Sequence, residues 1–125
     1  MVRGLIAATA TSAGAEAEHA AADFLKQQGL ILLEQNFRSR YGEIDLIFRH
    51  GKTLVFVEVR LRRNPHFGNA AESITFSKQR KLVRTAQFFL TDRGMNRQAC
   101  ACRFDAVLFG GPDIEWIQNA FDACV

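Results

Sequence analysis

One stretch, residues 42–60, constrains the fold of this chain more than any other. Its sequence, GEIDLIFRHGKTLVFVEVR, contains two apolar, largely β-branched or aromatic runs at residues 44–48 and 54–59. The polar residues 49–52 separate these runs. This pattern predicts a β-hairpin with a loop of about four residues. The rest of the chain is expected to be organised around that hairpin.

Three carboxylates, Glu43, Asp45 and Glu58, interrupt the apolar runs of the hairpin. Side chains alternate between the two faces of a strand, so Glu43 and Asp45 share one face, and Glu58 and Arg60 share one. A loop centred on residues 50–51 would place Glu43 across from Glu58. Asp45 would then lie one diagonal step away, at roughly 7–8 Å. That spacing is within reach of one shared cation.

Two interpretations of these acids remain open from spacing alone. An acid buried in an apolar hairpin costs several kcal/mol unless a positive group compensates it. A Mg²⁺ or Mn²⁺ ion bound by two carboxylates and water would provide that compensation. Alternatively, Glu43 and Asp45 lie on a wet sheet face, and Arg60 forms a surface ion pair of little energetic value. Because Glu58 is the only polar residue in LVFVEV, its strand is predicted to be buried, with Glu58 at the rim of the core.

The ends of the chain and its size indicate one soluble domain. A length of 125 residues, 48% hydrophobic content and two prolines are typical of a single globular core. Residues 1–13 contain an apolar run too short for a secretory signal and are predicted to be a loose N-terminus, followed by a domain at 14–121 and a tail at 122–125. No stretch approaches the ~20 apolar residues of a membrane span. Three cysteines without zinc-ligand spacing predict free thiols in a reducing cytoplasm.

The remaining elements are predicted from apolar periodicity and turn residues. Helices are expected at residues 15–28 and from a cap at Ser73 or Thr75 to residue 91. Strands are expected at 30–33, 98–109 and 114–117, with a basic connector at 34–41 and a loop at 62–73. The resulting order, αβββαββ, predicts a mixed α/β layer with an antiparallel hairpin at its centre.

Basic residues follow the acidic hairpin in two clusters, although the net charge is only +3. One cluster lies at residues 60–63, and the other forms the basic side of the second helix, at residues 78–84. Around a carboxylate site, such clusters would hold phosphates. Each cluster taken singly also fits a solvated basic face. In the same way, Glu18 lies beside the apolar stripe of the first helix, where it either approaches the hairpin or stands in water.

Taken together, these segments resemble the bacterial YraN family. The resemblance rests on GEIDLI, LVFVEVR, the helix around Lys78 and the strand containing Arg103-Phe104-Asp105, and it covers about residues 14–121. That family is similar to the PD-(D/E)XK, restriction-endonuclease-like nucleases, in particular to archaeal Holliday-junction resolvases. The resemblance implies a restriction-endonuclease-like mixed sheet with a central β-hairpin flanked by helices.

The resemblance also implies a metal site. The first Asp of the superfamily corresponds to Asp45, its E-x-K motif to Glu58, Val59 and Arg60, and a helix-borne Glu to Glu18. Asp45, Glu58 and the Val59 carbonyl would bind Mg²⁺ or Mn²⁺, with Glu18 assisting. Such an ion would polarise a phosphodiester and lower the pKa of the attacking water. Arg60 replaces the superfamily lysine, and because arginine cannot act as a general base at pH 7, its expected role is electrostatic.

The expected function is therefore metal-dependent hydrolysis of DNA, branched or linear. A homodimer would allow two strands to be cut symmetrically. The residues expected to steady the DNA backbone are Arg62, Arg63, Lys78, Gln79 and Lys81. Two other functions remain open: a nucleic-acid-binding protein that keeps the nuclease fold without turnover, and a structural or adaptor protein whose acids are merely solvated.

Overall fold

A computed structural model describes residues 2–61, 74–95, 100–110 and 113–121, with side chains from residue 14 onward. The described residues form, in chain order, α1 (Val2–Gln27), β1 (Ile31–Ser39), β2 (Gly42–His50), β3 (Thr53–Leu61), α2 (Phe76–Asp92), β4 (Ala101–Phe109) and β5 (Glu115–Ile117). This order confirms the predicted sequence of helices and strands. The predicted division of the chain at residues 14 and 121 stays a prediction.

The described strands form one mixed sheet in the order β1-β2-β3-β4-β5. Neighbouring strands are antiparallel except for β3 and β4, which run parallel. Parallel neighbours need a crossover connection, and α2 lies in the chain between these two strands. The predicted fold class, an α/β restriction-endonuclease-like mixed sheet with a central hairpin flanked by helices, is confirmed.

The core has two layers, one on each face of the sheet. The layer on the α2 side includes Ile44, Ile47, Leu54, Phe56, Leu82, Ala86, Phe89, Leu90 and Phe104. The layer on the α1 side includes Ala21, Ala22, Leu25, Leu46, Phe48, Val55, Val57 and Val107. Both faces of β3 are therefore covered, which explains why its sequence is almost continuously apolar.

The hairpin turn is tighter than predicted. β2 continues to His50 and β3 begins at Thr53, and these two residues pair. The loop is therefore Gly51 and Lys52 rather than four residues, and Gly51 supplies the positive φ of 64° that such a short turn requires. This turn also changes the register, because Leu46 pairs with Val57. Continuing that register places Asp45, rather than Glu43, across from Glu58, so the predicted pairing was wrong.

The regular alternation of β2 breaks at Asp45. Ile44 packs on the α2 side and Leu46 on the α1 side, although residues two apart normally share a face. On the neighbouring strand, the residue opposite Asp45 is Asn36, which has a positive φ of 53°. Asparagine adopts this left-handed conformation more readily than most residues. The irregularity lets the Asp45 side chain leave the ladder and accept a hydrogen bond from the Val59 N–H.

Two other boundaries differ from the prediction. β1 continues to Ser39, through most of the segment that was predicted to be a basic connector. As a strand at the edge of the sheet it carries mainly exposed or half-exposed polar side chains, while Phe37 is buried in the core. α1 begins at Val2 rather than at residue 15. Residues 2–14 include several alanines, which favour a helix, and no proline, which would interrupt one. The predicted loop at 62–73 lies outside the described residues.

Neither helix of the described chain combines the length and the apolar character that are needed to cross a membrane.

A candidate carboxylate site at the end of the central hairpin

The predicted acids meet at one open pocket. This pocket, of about 370 Å³, is lined by Glu18 from α1, Asp45 from β2, and Glu58 with the three residues that follow it on β3. Gly14 and Ala17 of α1 complete the lining, and because these residues are small, the helix leaves space beside the acids. From the sequence alone it was open whether Glu18 approaches the hairpin, and in the structure Glu18 lines this pocket beside Asp45 and Glu58.

Asp45 lies among like charges in this pocket. Its Oδ2 accepts a hydrogen bond of 2.8 Å from the Val59 N–H. Burial of the carboxyl, and then the neighbouring Glu58 carboxylate, raise its pKa from 3.8 to about 7. Glu18 and Glu43 push the pKa in the same direction, and the Val59 hydrogen bond opposes it. A nearby cation would oppose this shift and favour the ionised form of Asp45.

Glu58, in contrast, has two cationic partners. Its carboxylate is buried, and Oε2 lies 3.2 Å from Lys78 Nζ and 3.4 Å from Arg60 Nη1. Lys78 reaches it from the first turn of α2, where Thr75 is the N-cap and its Oγ1 accepts from the Lys78 N–H. Thr75 was one of the two predicted caps. A sheet residue and a helix residue thus jointly compensate one buried acid.

The donor set suits a hard divalent cation. Asp45 and Glu58 project from adjacent strands into the same pocket, and carboxylate oxygens are the ligands that Mg²⁺ and Mn²⁺ prefer. In the part of the chain that the structure describes, no three His, Cys, Asp or Glu side chains are grouped closely enough to hold a metal ion as they stand. The Glu58 carboxylate lies against Lys78 and Arg60. A bound ion would therefore require the carboxylates to move together.

The other residues predicted to contact DNA lie in different surroundings. The Gln79 side chain donates to the carbonyl of Ile74 at 3.0 Å. Lys81 is exposed on α2, beside a smaller pocket that it lines with Arg84. Arg62 and Arg63 lie outside the described residues. The contacts of all these side chains with DNA, and those of Lys78, stay predictions.

The pairing of Lys78 with Glu58 was not predicted from the sequence. The sequence also assigned no role to Asp105. The Asp105 carboxylate is fully buried and accepts from Arg103 Nε, Trp116 Nε1 and the Asn119 N–H, at 2.9 to 3.2 Å. Arg103 in turn lies 3.0 Å from His50 Nδ1. These contacts tie β4 to β5 and to the end of β2. The signal in the sequence was the isolated acid in RFDAVLF, which marks a buried charge without naming its partners.

The fold and the site together define an α/β protein with a mixed, restriction-endonuclease-like sheet and an acidic pocket beside its central hairpin. The model of the Uncharacterised protein family UPF0102 matches residues 17–109. That range contains all three acids of the pocket and both cations that pair with Glu58. This chain belongs to that family, and the predicted resemblance to the YraN family is confirmed.

Relatives from several bacteria match over most of their length. The chain is 55% identical over 112 residues to a UPF0102 protein of Nitrosospira multiformis, covering 87% of this chain and 92% of the relative. It is 53% identical over 117 residues to a UPF0102 protein of Nitrosomonas europaea, covering 91% and 97%. A UPF0102 protein of Dechloromonas aromatica is 51% identical over 115 residues, with 92% of each chain covered.

Proposed function

We propose that this protein is a metal-dependent nuclease that hydrolyses DNA phosphodiesters at the pocket formed by Glu18, Asp45 and Glu58. One observation carries the proposal: three acids from three elements line a single open pocket, and Asp45 lies there with other acids as its charged neighbours. An acid with a purely structural role would be expected to be surrounded by donors, as Asp105 is.

Asp45 and Glu58 would hold Mg²⁺ or Mn²⁺, with the Val59 carbonyl and Glu18 as further oxygen ligands. When bound, such an ion supplies Lewis-acid activation of the phosphodiester and of the attacking water. The protein's contribution is to gather the acids at the end of a rigid hairpin. The Val59 N–H supports this arrangement, because its hydrogen bond of 2.8 Å holds the Asp45 carboxylate beside β3.

The cations beside Glu58 have distinct roles in the proposal. Arg60 would stabilise the negative charge that develops on the reacting phosphate. Lys78 supplies an amine beside Glu58, where the position of the superfamily lysine is occupied by Arg60. Its side chain is 41% exposed, so the ammonium is accessible to a phosphate placed over the pocket.

DNA is the proposed substrate because basic side chains flank the pocket. Gln79 and Lys81 follow Lys78 on α2, and Arg62 and Arg63 follow β3 in the sequence. A homodimer would present two such pockets to the two strands of a branched DNA. The proposed location is the cytoplasm, where the free thiols of Cys100 and Cys102 would stay reduced.

The proposal is tested by incubating labelled linear, flap and four-way-junction DNA with the purified protein in Mn²⁺, Mg²⁺ or EDTA. We expect cleavage that requires metal and falls by about 100-fold or more in Asp45→Asn and in Glu58→Gln. Glu43→Gln is the matched control, because Glu43 is an exposed acid of the same strand, paired with Arg38 at 3.5 Å. Cleavage that survives both pocket variants would contradict the site, and no cleavage of any substrate by folded protein would contradict the activity.

The second candidate is a nucleic-acid-binding protein without turnover. It is favoured by the pairing of Glu58 with Lys78 and Arg60, which compensates this acid without a metal ion. This candidate predicts salt-dependent DNA binding that is the same in EDTA and in Mn²⁺, and no cleavage in either.

A further inference from the structure

The outward face of α2 carries a single acid, Asp92, at the last residue of the helix, where its Oδ2 lies 3.6 Å from Arg93 Nε. Between Phe76 and Thr91 the helix contains no Asp or Glu. Its buried residues all lie on the opposite face. The exposed or half-exposed residues on the outward side are Phe76, Ser77, Arg80, Lys81, Arg84, Gln87, Phe88 and Thr91. This face therefore combines cations, an amide and aromatic rings, and its one negative charge lies at the end of the helix beside Arg93.

Two pockets on this face meet at Arg84. The larger, of about 420 Å³, is lined by Tyr41, Arg84, Gln87, Phe88 and Thr91. The smaller, of about 290 Å³, is lined by Ser77, Arg80, Lys81 and Arg84. Because Arg84 lines both, the two pockets lie side by side, and together they are called here the Tyr41–Arg84 groove.

The turn between β1 and β2 brings Tyr41 against the helix. A Cβ on the next residue, Gly42, would lie 3.3 Å from Thr85 Oγ1, so glycine allows this close approach. The rings of Tyr41 and Phe88 are then 6.3 Å apart and tilted by 59°. Phe88 is 39% exposed, and the Arg40 guanidinium lies 5.1 Å from the Tyr41 ring. One exposed ring, Phe88, and one half-buried ring, Tyr41, thus stand at one end of the groove.

The chemistry of this groove matches unpaired nucleotides. Single-stranded nucleic acids are bound by aromatic rings on which bases stack and by cations that follow the phosphates. A duplex would engage the cations only, because its bases are stacked on one another and do not reach a ring on a protein surface. An acidic protein would also pair with the cations, but it would make no use of exposed rings beside them.

We infer that the Tyr41–Arg84 groove binds an unpaired segment of DNA, with a base on Tyr41 and Phe88 and the adjoining phosphates on Arg84, Lys81 and Arg80. This inference rests on the proposed function, since it names the substrate class: DNA in which a single-stranded segment adjoins the cleaved bond. Arg84 and Lys78 lie on the same helix, about 9 Å apart along its axis at 1.5 Å per residue. The groove therefore lies within about two helical turns of Lys78, the residue of α2 that pairs with Glu58.

The inference is tested by fluorescence anisotropy with labelled oligonucleotides in EDTA, where metal-dependent cleavage does not occur. We expect single-stranded and flap DNA to bind more tightly than blunt duplex. Tyr41→Ala and Phe88→Ala should weaken single-strand binding by about five-fold or more. Duplex binding should change little in both variants. Tyr41→Phe should retain the affinity, because it keeps the ring, and thermal melting would verify that each variant is folded.

Charge is tested separately from stacking. Arg84→Ala should weaken binding of both DNA forms and reduce the salt dependence of affinity by about one phosphate contact. The matched control is Lys52→Ala, which removes the same charge at the other end of β2, roughly 25 Å away. The control should bind as the unaltered protein does.

Three results would overturn the inference: equal affinity for single-stranded and duplex DNA, an affinity unaffected by Tyr41→Ala, or sedimentation showing that Tyr41→Ala dissociates a dimer. The last would assign the groove to a second copy of the chain. Failure of the proposed nuclease activity is distinguishable, because it is measured in metal and depends on Asp45. If the protein does not cleave DNA but its preference for single strands depends on Tyr41, the inference about the groove stands and the proposed nuclease activity does not.

Discussion

Asp45 and Asp105 are both acids on strands of the same sheet, and their surroundings are opposite. Asp105 lies in a closed interior and accepts hydrogen bonds from Arg103, Trp116 and the Asn119 backbone. Asp45 lies at an open pocket, accepts one described hydrogen bond, from Val59, and has other acids as its charged neighbours. The first site neutralises its charge with the protein's own groups, and the second leaves room for a cation from outside.

This contrast shows what burial of an acid means for function. Burial alone does not identify a reactive site, because the more deeply buried acid here is the one with a complete set of partners. The informative property is burial combined with like-charged neighbours, which raises the pKa of Asp45. The two acids should therefore respond in opposite directions when their charge is removed.

The largest expected effect is that of Asp105→Ala. This change leaves the Arg103 guanidinium, whose side chain is 20% exposed, without its carboxylate and removes the acceptor of the Trp116 and Asn119 N–H groups. Removing one partner of a buried pair costs roughly 3–5 kcal/mol. Urea denaturation should show a loss of this size in the free energy of unfolding. A loss below about 1 kcal/mol would contradict the structural role.

Asp45→Asn should instead stabilise the protein at high pH. The pKa of Asp45 is raised to about 7 in the folded protein, whereas the unfolded chain loses this proton near its ordinary value of 3.8. Stability is therefore fully present below pH 3.8 and declines as the pH rises through 7. Asparagine keeps the acceptor for Val59 but cannot ionise. At pH 8 we expect a gain on the order of 2 kcal/mol.

The pH profile is the control for that prediction. Urea denaturation between pH 4 and 8 should show a decline for the unaltered protein that is missing from Asp45→Asn. Parallel profiles for the two proteins would show that Asp45 ionises normally, and the contrast with Asp105 would then disappear.

A smaller loss is expected when Lys78 is replaced by methionine. Glu58 would keep Arg60 as a partner, but it would lose the ammonium at 3.2 Å. A hydrogen bond to a charged group contributes about 1.5–3 kcal/mol, and the partial exposure of Lys78 favours the lower end of that range. Lys81→Met, an exposed change on the same helix, is the matched control and should stay within about 0.5 kcal/mol. Equal effects of the two changes on the denaturation midpoint would contradict the role of Lys78.

The smallest effect should come from Glu43→Gln. Glu43 shares β2 with Asp45, but its ion pair with Arg38, at 3.5 Å, is exposed on both sides. Such surface pairs contribute between about 0 and 1 kcal/mol. The midpoint of urea denaturation should barely move. A shift as large as that of Lys78→Met would show that exposure does not distinguish Glu43 from Asp45 in their effects on stability.

The sequence was sufficient to predict the order of the elements and the convergence of the acids. Both rest on local patterns: apolar periodicity gives helices and strands, and an acid such as Glu58 stands out in an apolar run. The edge strand β1 was only partly predicted, because its outward side chains are polar and its sequence resembles a connector.

Register and partners could not be predicted in the same way. With a turn two residues shorter, the residue opposite Glu58 is Asp45 instead of Glu43, and the same shift of two residues changes every other cross-strand pair. The pairing of Lys78 with Glu58 depends on where α2 packs on the sheet, which no local pattern specifies. The positive φ of Asn36, a residue of the edge strand beside Asp45, is likewise not specified by a local pattern.

The central claim is that Asp45 and Glu58 form a site for a divalent cation, and calorimetric titration of Mn²⁺ into the protein at pH 8 tests it most directly. We predict saturable binding that is lost in Asp45→Asn and in Glu58→Gln and is retained in Glu43→Gln. No binding to the unaltered protein, or binding that persists in Asp45→Asn, would contradict the claim.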